Sequence, residues 1–261
     1  MKLDRPMRVL LVDDDPDTLR MYRMALEATA EVATESSASH ALERAKGTVP
    51  DVIVLDLAMP TVDGWEVCGA LRNDVVTSGV PVLVLTAHDG VDVPARAIRA
   101  GVRAVLVKPC PIDRFLRAID AAAEVGIVQR QQQLIRRLYE LFNDRRFAEG
   151  STMFVDREQG IQHPLRRPGY IPFANGWVGA FPDASMTVTS IEPDGDEYDV
   201  HVVARGTHLG DLAIASGDVL RPSKRSLRID IRDRIRFTGD RISSSAVSID
   251  MADLARQLTP A

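Results

Sequence analysis

The sequence predicts two joined folds: a doubly wound α/β domain with five parallel strands, then an α+β domain with a curved antiparallel sheet. Three observations carry this. Short runs that are apolar at every position recur through the first half, as in strands buried on both faces of a parallel sheet. Segments with helical spacing separate them, giving strand–helix alternation about every 25 residues. In the second half the period changes to alternation, the pattern of antiparallel strands with one apolar face.

In chain order, the strand runs are Val9–Val12, a weaker Glu31–Thr34, Val52–Leu55, Val82–Leu85 and Ala104–Val107. The helical segments are Thr18–Ala28, Ala38–Ala45, Gly64–Leu71, Pro94–Ala100 and Ile112–Val125, with Ser39 and Asp113 near helix starts where caps are expected. Gly126 is expected to break the chain, with residues 127–133 as a polar Gln/Arg linker. A new helix then runs to about Asn143 with Leu134, Ile135, Leu138, Leu141 and Phe142 as its apolar stripe. That stripe spans only about two heptads, which favours domain core over a coiled coil. The alternating segments are Met186–Ile191, Tyr198–Ala204 and Leu227–Phe237, with turn signals at Asp194-Gly195 and Thr238-Gly239-Asp240.

Composition limits the function classes. At 45% apolar and 26% charged residues the chain is globular, and no run approaches the roughly 18–20 apolar residues of a membrane span. No apolar signal-peptide core follows Met1–Met7, so a cytoplasmic location is expected. Cys68 and Cys110 are too few for a disulfide scaffold or a sulfur-bound zinc, and packing roles are expected for both. Residues 1–127 hold 14 Lys/Arg against 19 Asp/Glu, and residues 128–261 hold 18 of each. Neither half has the basic excess or helix-turn-helix signal of a DNA-binding domain, so no nucleic-acid partner is expected.

The chemistry gathers at strand ends. Asp13 and Asp14 follow the first run, Asp56 the third, Thr86 the fourth and Lys108 the fifth. In a parallel sheet those ends share one edge, where open α/β folds bind ligands. Clustered carboxylates invite a hard divalent cation such as Mg²⁺. Beside them, a lysine and a hydroxyl suit a phosphoryl group, whose transfer needs mainly positioning and charge stabilisation.

The blocks Val12-Asp13-Asp14-Asp15-Pro16, Leu55-Asp56-Leu57-Ala58-Met59-Pro60 with Asp63-Gly64, Leu85-Thr86-Ala87 and Val107-Lys108-Pro109 resemble the receiver domains of two-component response regulators over residues 6–126. The resemblance implies a five-stranded sheet of flavodoxin-like order and phosphorylation of Asp56 by a sensor histidine kinase. It also implies Mg²⁺ held by Asp13, Asp14, Asp56 and the Ala58 carbonyl, with Thr86 and Lys108 contacting the phosphoryl group. Pro60 and Gly64 shape the following loop, and the Lys108–Pro109 bond is often cis. A pseudo-receiver would lose one of these groups, and none is lost. One departure stands out: Val105 occupies the position where receivers carry an aromatic residue that moves with the threonine.

In the second half, Leu138-Tyr139-Glu140-Leu141-Phe142-Asn143, Gln162-His163-Pro164, Ala180-Phe181-Pro182-Asp183, Ala204–Gly210, Arg236-Phe237 and Asp250 with Leu254–Leu258 resemble SnoaL-like polyketide cyclases over residues 131–259. The resemblance implies the cone-shaped α+β fold of ketosteroid isomerases, an apolar pocket and no cofactor. Asp250 falls on the position of the acid/base aspartate, and His163 and His208 on positions that often line the pocket. From the residues alone, the alternation Leu227, Ile229, Ile231, Asp233, Ile235, Phe237 puts Asp233 on the apolar face. Alternatives stay open: Asp250 as a helix cap, Asp233 solvated after a bulge, and His163 and His208 as plain structural residues. Ala246 also replaces the tryptophan usual before the aspartate.

The expected boundaries are residues 1–126 for the receiver and 134–261 for the second domain. The expected function is a response regulator whose output domain binds a small apolar ligand or a partner. The alternative is a phosphorylation-gated cyclase or isomerase using Asp250. Dimerisation, through the face near Val102–Lys108 or the second domain's sheet, is an expected route of read-out.

Overall fold

The computed structural model describes residues 5–60, 62–87, 90–155, 161–162, 169–214 and 219–259. The chain divides into two compact units, one ending at Arg130 and the other beginning at Gln131.

The first unit runs β1 Met7–Val12, α1 Pro16–Leu26, β2 Ala30–Glu35, α2 Ala41–Thr48, β3 Val52–Leu55, α3 Gly64–Asn73, β4 Val82–Thr86, α4 Val93–Ala100 and β5 Ala104–Val107, then enters α5 Ile112–Asn143. Its five strands are all parallel in the order β2-β1-β3-β4-β5. That is the flavodoxin-like order, with the switch point beside β1 and β3. Alternate residues of each strand feed two cores. Val9, Leu11, Val54, Leu83 and Leu85 pack with Tyr22, Leu26, Phe115 and Ile119 from α1 and α5. Leu10, Val12, Ile53, Leu55 and Val84 pack with Ala41, Ala45, Val67 and Leu71 from α2 and α3. The uninterrupted apolar runs are therefore a consequence of a sheet covered on both faces.

Gly126 does not break the chain. Residues 127–133, expected as a linker, are helical within α5, and the division at Arg130 falls inside that helix. A β-carbon at Gly126 would lie 2.7 Å from Cδ of Pro81 and 3.1 Å from the Asp51 carbonyl oxygen. The glycine thus permits close approach of helix to sheet, which outweighs its weak helix propensity of about 1 kcal/mol. Asp51, fully buried below β3, anchors the same stretch of α5. Its carboxylate accepts two bonds from Arg5 at 2.7 and 2.9 Å, one from the Arg8 N–H at 2.8 Å and one from Arg130 at 2.8 Å. Burial alone would raise its pKa, but these partners outweigh it and hold the carboxyl below its ordinary range. Ser39 caps no helix: it lies in a short turn before α2 with its hydroxyl on Ser37, and Asp113 pairs with Arg117.

The second unit continues with α6 Phe147–Thr152, β6 Ile161–Gln162, α7 Tyr170–Ala180, β7 Ser185–Asp194, β8 Glu197–Thr207, β9 Leu212–Ala213, β10 Val219–Leu220, β11 Ser226–Thr238, β12 Arg241–Ile249 and α8 Met251–Leu258. The main sheet has the order β6-β12-β11-β8-β7. It is antiparallel apart from the short β6, which pairs parallel to β12. The inward residues Leu227, Ile229, Ile231, Val200, Val202 and Val247 are buried, as are Leu138, Phe142, Phe173, Trp177 and Phe181. The stripe on α5 is thus core. The opposite face carries charge pairs such as Arg232 with Asp199 and Arg234 with Glu197. The glutamines near the start of this unit do not form a solvated connector. Gln131 donates to the Gly239 carbonyl at 2.9 Å and accepts from the Tyr198 hydroxyl at 3.0 Å, and Gln132 donates to the Ile191 carbonyl.

Candidate functional site

In the first unit the parallel ladder delivers the functional side chains to one edge. The Asp56 amide donates to the Val12 carbonyl and the Lys108 amide to the Thr86 carbonyl, each at 2.8 Å, so registry extends one residue past the strands. Asp13, Asp56 and Thr86 are buried, and Asp14 is exposed. The Lys108 ammonium donates to Asp13 Oδ2 at 2.6 Å and to Asp56 Oδ2 at 2.7 Å. The other oxygen of each carboxylate accepts a backbone N–H: Asp15 onto Asp13 at 3.0 Å and Ala58 onto Asp56 at 3.1 Å. The two carboxyls are therefore held at both oxygens. Asp15 beside them caps α1, accepting from the Asp17 and Thr18 amides.

Carboxylate oxygens of Asp13, Asp14 and Asp56 all lie within 4.8 Å of one another. Like charges about 4 Å apart repel by about 4 kcal/mol at an effective dielectric near 20, so this cluster favours a cation. An all-oxygen donor set open to solvent at Asp14 fits a hard divalent ion that keeps some of its water. Burial pushes the Asp13 carboxyl up, against the opposing hydrogen bond from Lys108. Burial also acts to lower Lys108, but the hydrogen bonds and charges of Asp13 and Asp56 outweigh it and raise its pKa. The ammonium thus stays charged where a phosphoryl group would need it.

The loop after Asp56 depends on Gly64, the first residue of α3. A β-carbon there would sit 2.6 Å from Cα of Leu57 and 2.9 Å from the Asp56 carbonyl oxygen, both backbone atoms. Gly64→Ala is expected to destabilise the first unit by about 3 kcal/mol, as overpacking against backbone does. A fall in urea midpoint at unchanged slope would show it. The Lys108–Pro109 bond is cis. Val105 is half-buried against the core on the α2–α3 face, in the place where an aromatic ring was the family expectation.

The second unit contains a separate polar centre. Asp233, 2% exposed, faces inward from β11; the β11–β12 register shift comes later, at Arg236/Phe237, so no bulge turns it outward. Tyr139 on α5 donates to its Oδ2 at 2.9 Å and Ser245 on β12 to its Oδ1 at 2.8 Å. Burial raises its carboxyl to about 6, although the bonds from Ser245 and Tyr139 oppose the shift. The Tyr139 phenol is raised well above its ordinary value by burial and by the neighbouring carboxylate. A cavity of about 20 Å³ adjoins the pair, walled by Leu138, Phe142, Tyr170, Phe173, Met186 and Ile231. That is room for about one water.

Asp250 does not join this centre. It is exposed, and its Oδ1 accepts from the amides of Ala252 and Asp253 as the cap of α8. A short polar side chain immediately before a helix is captured by the free N–H groups of the first turn. Asp250→Ala is accordingly expected to cost the second unit about 1 kcal/mol, read as a drop in its thermal midpoint. His208 is buried, its ring tilted against Phe181 with centroids 5.3 Å apart, and its Nδ1 accepts from the Ser223 amide at 3.2 Å. Burial lowers its pKa. It does not line the Asp233 cavity. His163 lies outside the described residues. Tyr139 and Ser245 were not singled out from sequence. Tyr139 stands four residues after Ile135 on the buried stripe, the one signal that points to it.

Comparison with known proteins agrees with this division. The family model of the response regulator receiver domain matches residues 9–120, and that of the SnoaL-like polyketide cyclase matches residues 132–258. Transcriptional regulatory protein PrrA of Mycobacterium leprae is 40% identical over 115 residues, 44% of this chain and 48% of that protein. Transcriptional regulatory protein KdpE of Mycobacterium tuberculosis is 36% identical over 115 residues, 44% of this chain and 50% of that protein. The chain spans about half the length of the curated relatives it matches. Among solved structures, the chemotaxis response regulator CheY4 of Vibrio cholerae is 28% identical, covering 45% of this chain and 99% of that one, with a TM-score of 0.43. The chain thus joins a response-regulator receiver domain to a SnoaL-like domain. Among the described residues no helix is long and apolar enough to cross a membrane.

Proposed function

We propose that this chain is a response regulator that accepts a phosphoryl group on Asp56 from the phosphohistidine of a sensor kinase, and that the SnoaL-like unit is its output. The observation that carries the reading is the joint hold of Lys108 on Asp13 and Asp56, at 2.6 and 2.7 Å, inside a cluster of three carboxylates. Asp13, Asp14, Asp56 and the Ala58 carbonyl would hold Mg²⁺. When bound, that ion supplies positive charge to the reacting oxygens. A carboxylate oxygen of Asp56 forms the new O–P bond as the P–N bond to the kinase imidazole breaks. Lys108 then moves its charge from the carboxylates toward the phosphoryl oxygens, and Thr86, at the adjacent strand end, offers its hydroxyl.

The test uses acetyl phosphate as donor, with the intact mass of the full chain as readout. Mg²⁺ is expected to support addition of one phosphoryl group, and EDTA to prevent it. No mass gain in either condition would overturn the reading.

For the output unit we infer a binding role at Asp233, for a small, largely apolar ligand that carries a hydrogen-bonding group. Support comes from a buried carboxyl shared by two hydroxyls in an otherwise apolar wall. The cavity's small volume means that its walls must shift to admit anything larger than water. The alternative of a cyclase using Asp250 has no support in the geometry, because that carboxylate is exposed and engaged as a helix cap.

A further inference from the structure

At the opposite edge of the receiver sheet from Asp56 lies a second cleft, of about 220 Å³. It is bounded by the end of α3, the loop into β4, the α4–β5 turn and α5. Two guanidiniums line it, Arg72 and Arg103, together with Ser78 and Gln129, and no carboxylate does. That is unusual in a half of the chain where acids outnumber bases, 19 to 14.

Two acids of the adjoining segments are already committed. Asp74 turns back onto the amides of Val76 and Thr77 and pairs with Lys46, and Asp51 is saturated by its arginines and the Arg8 amide. Arg72 is held in place: it donates to the Arg99 carbonyl and lies over Gly101, where any β-carbon would collide with its guanidinium. Gly101 is in the left-handed region, φ 68°, so the turn requires glycine on both counts. Arg103 is fixed through its backbone, its amide donating to the Val82 carbonyl at 2.8 Å. Among the described residues its side chain has no ion pair or hydrogen bond, and the Ser78 hydroxyl and Gln129 amide are likewise uncommitted. Thr77 plays a different part, its hydroxyl tying the loop to the Leu71 carbonyl at 2.7 Å. Cys68 at the cleft wall is a buried thiol pushed up to about 12, and brings no negative charge.

We propose that this cleft binds a compact phosphoryl anion, gripped by Arg72 and Arg103 with Ser78 and Gln129 completing its hydrogen bonds. Guanidiniums match phosphoryl oxygens in geometry as well as charge. The volume corresponds to about seven waters of liquid, enough for phosphate or pyrophosphate. The site is distinct from the acidic edge, which repels free anions when no cation is bound.

The test is a ¹⁵N NMR titration of the full chain with pyrophosphate, in EDTA and at constant ionic strength. Saturable shifts are expected at the Gly79, Gly101 and Gln129 amides. Arg103→Gln is expected to weaken binding about tenfold, the loss of a charged hydrogen bond. Ser78→Glu, on the exposed loop, places a carboxylate in the mouth and is expected to weaken it at least as much without touching the core. Shifts that never saturate, that fall at the Asp13–Asp56 edge instead, or that survive both substitutions would overturn the site.

Discussion

Asn in place of Asp56 is expected to abolish phosphoryl uptake completely, with the fold intact. The substitution is nearly isosteric. The amide oxygen of Asn can still accept the Ala58 N–H, and Lys108 keeps its bond to Asp13. What disappears is the charged oxygen that forms the bond to phosphorus. Asp13→Asn should act differently, because Asp13 is held near the nucleophile rather than being it. Removing one carboxylate from the cation cluster is expected to slow uptake at least about tenfold while leaving the reaction measurable. Intact-mass spectrometry after acetyl phosphate with Mg²⁺ separates the two. If the Asp56→Asn chain still gains a phosphoryl group, the acceptor is misassigned.

Asp233→Asn is expected to stabilise the second unit, and to do so only at the higher pH. Asp233 is held at about 6 in the folded unit against 3.8 as a free side chain. A shift of that size is worth about 3 kcal/mol at 1.36 kcal/mol per unit. The sign follows from proton binding. The folded state holds the Asp233 proton more tightly than the unfolded chain, so folding is favoured most at low pH. That contribution is complete below the unfolded pKa near 4 and is lost as pH rises through about 6. Above it, a buried carboxylate is charged at a cost that Tyr139 and Ser245 only partly offset. Asn removes the charge and keeps acceptor and donor functions, so the variant is expected to be about 1–3 kcal/mol more stable near pH 8 and equal to wild type near pH 4. Trp177, buried in the same unit, gives the fluorescence readout once Trp65, the chain's other tryptophan, is replaced by Phe. Identical pH slopes for the two chains would show that Asp233 ionises in the folded unit as it does in the unfolded chain, and would overturn the raised value. A carboxyl retained where Asn would be more stable points to use rather than packing.

Much of the acidic edge was legible because its logic is local. A residue one step past a buried parallel strand must fall on the sheet's carboxyl edge, whatever the details of packing. Asp13, Asp56, Thr86 and Lys108 therefore needed only strand ends to be placed together. Asp233 was legible for a similar reason, since alternation along β11 decides which face it takes. Asp250 was not. Its position before a helix admitted both a cap and a pocket residue, and only in the folded chain do the Ala252 and Asp253 amides donate to its oxygen.

Strand period, helix spacing and the order of polar residues at strand ends by themselves determined a doubly wound sheet, an alternating sheet after it, and the set of residues gathered at the acidic edge. Each of these follows from contacts along one element or between neighbouring strands. The tertiary structure alone decided the rest. Gly126 became a packing contact with Pro81 instead of a break, because what approaches a glycine is set by distant residues. Tyr139, Ser245 and Asp233 met from a helix and two strands, more than 90 residues apart between Tyr139 and Asp233. The arginine cleft exists because a glycine turn, a loop and a helix end converge there. Those arrangements depend on how elements pack against one another, and one-dimensional periodicity records which face is buried but not what it is buried against.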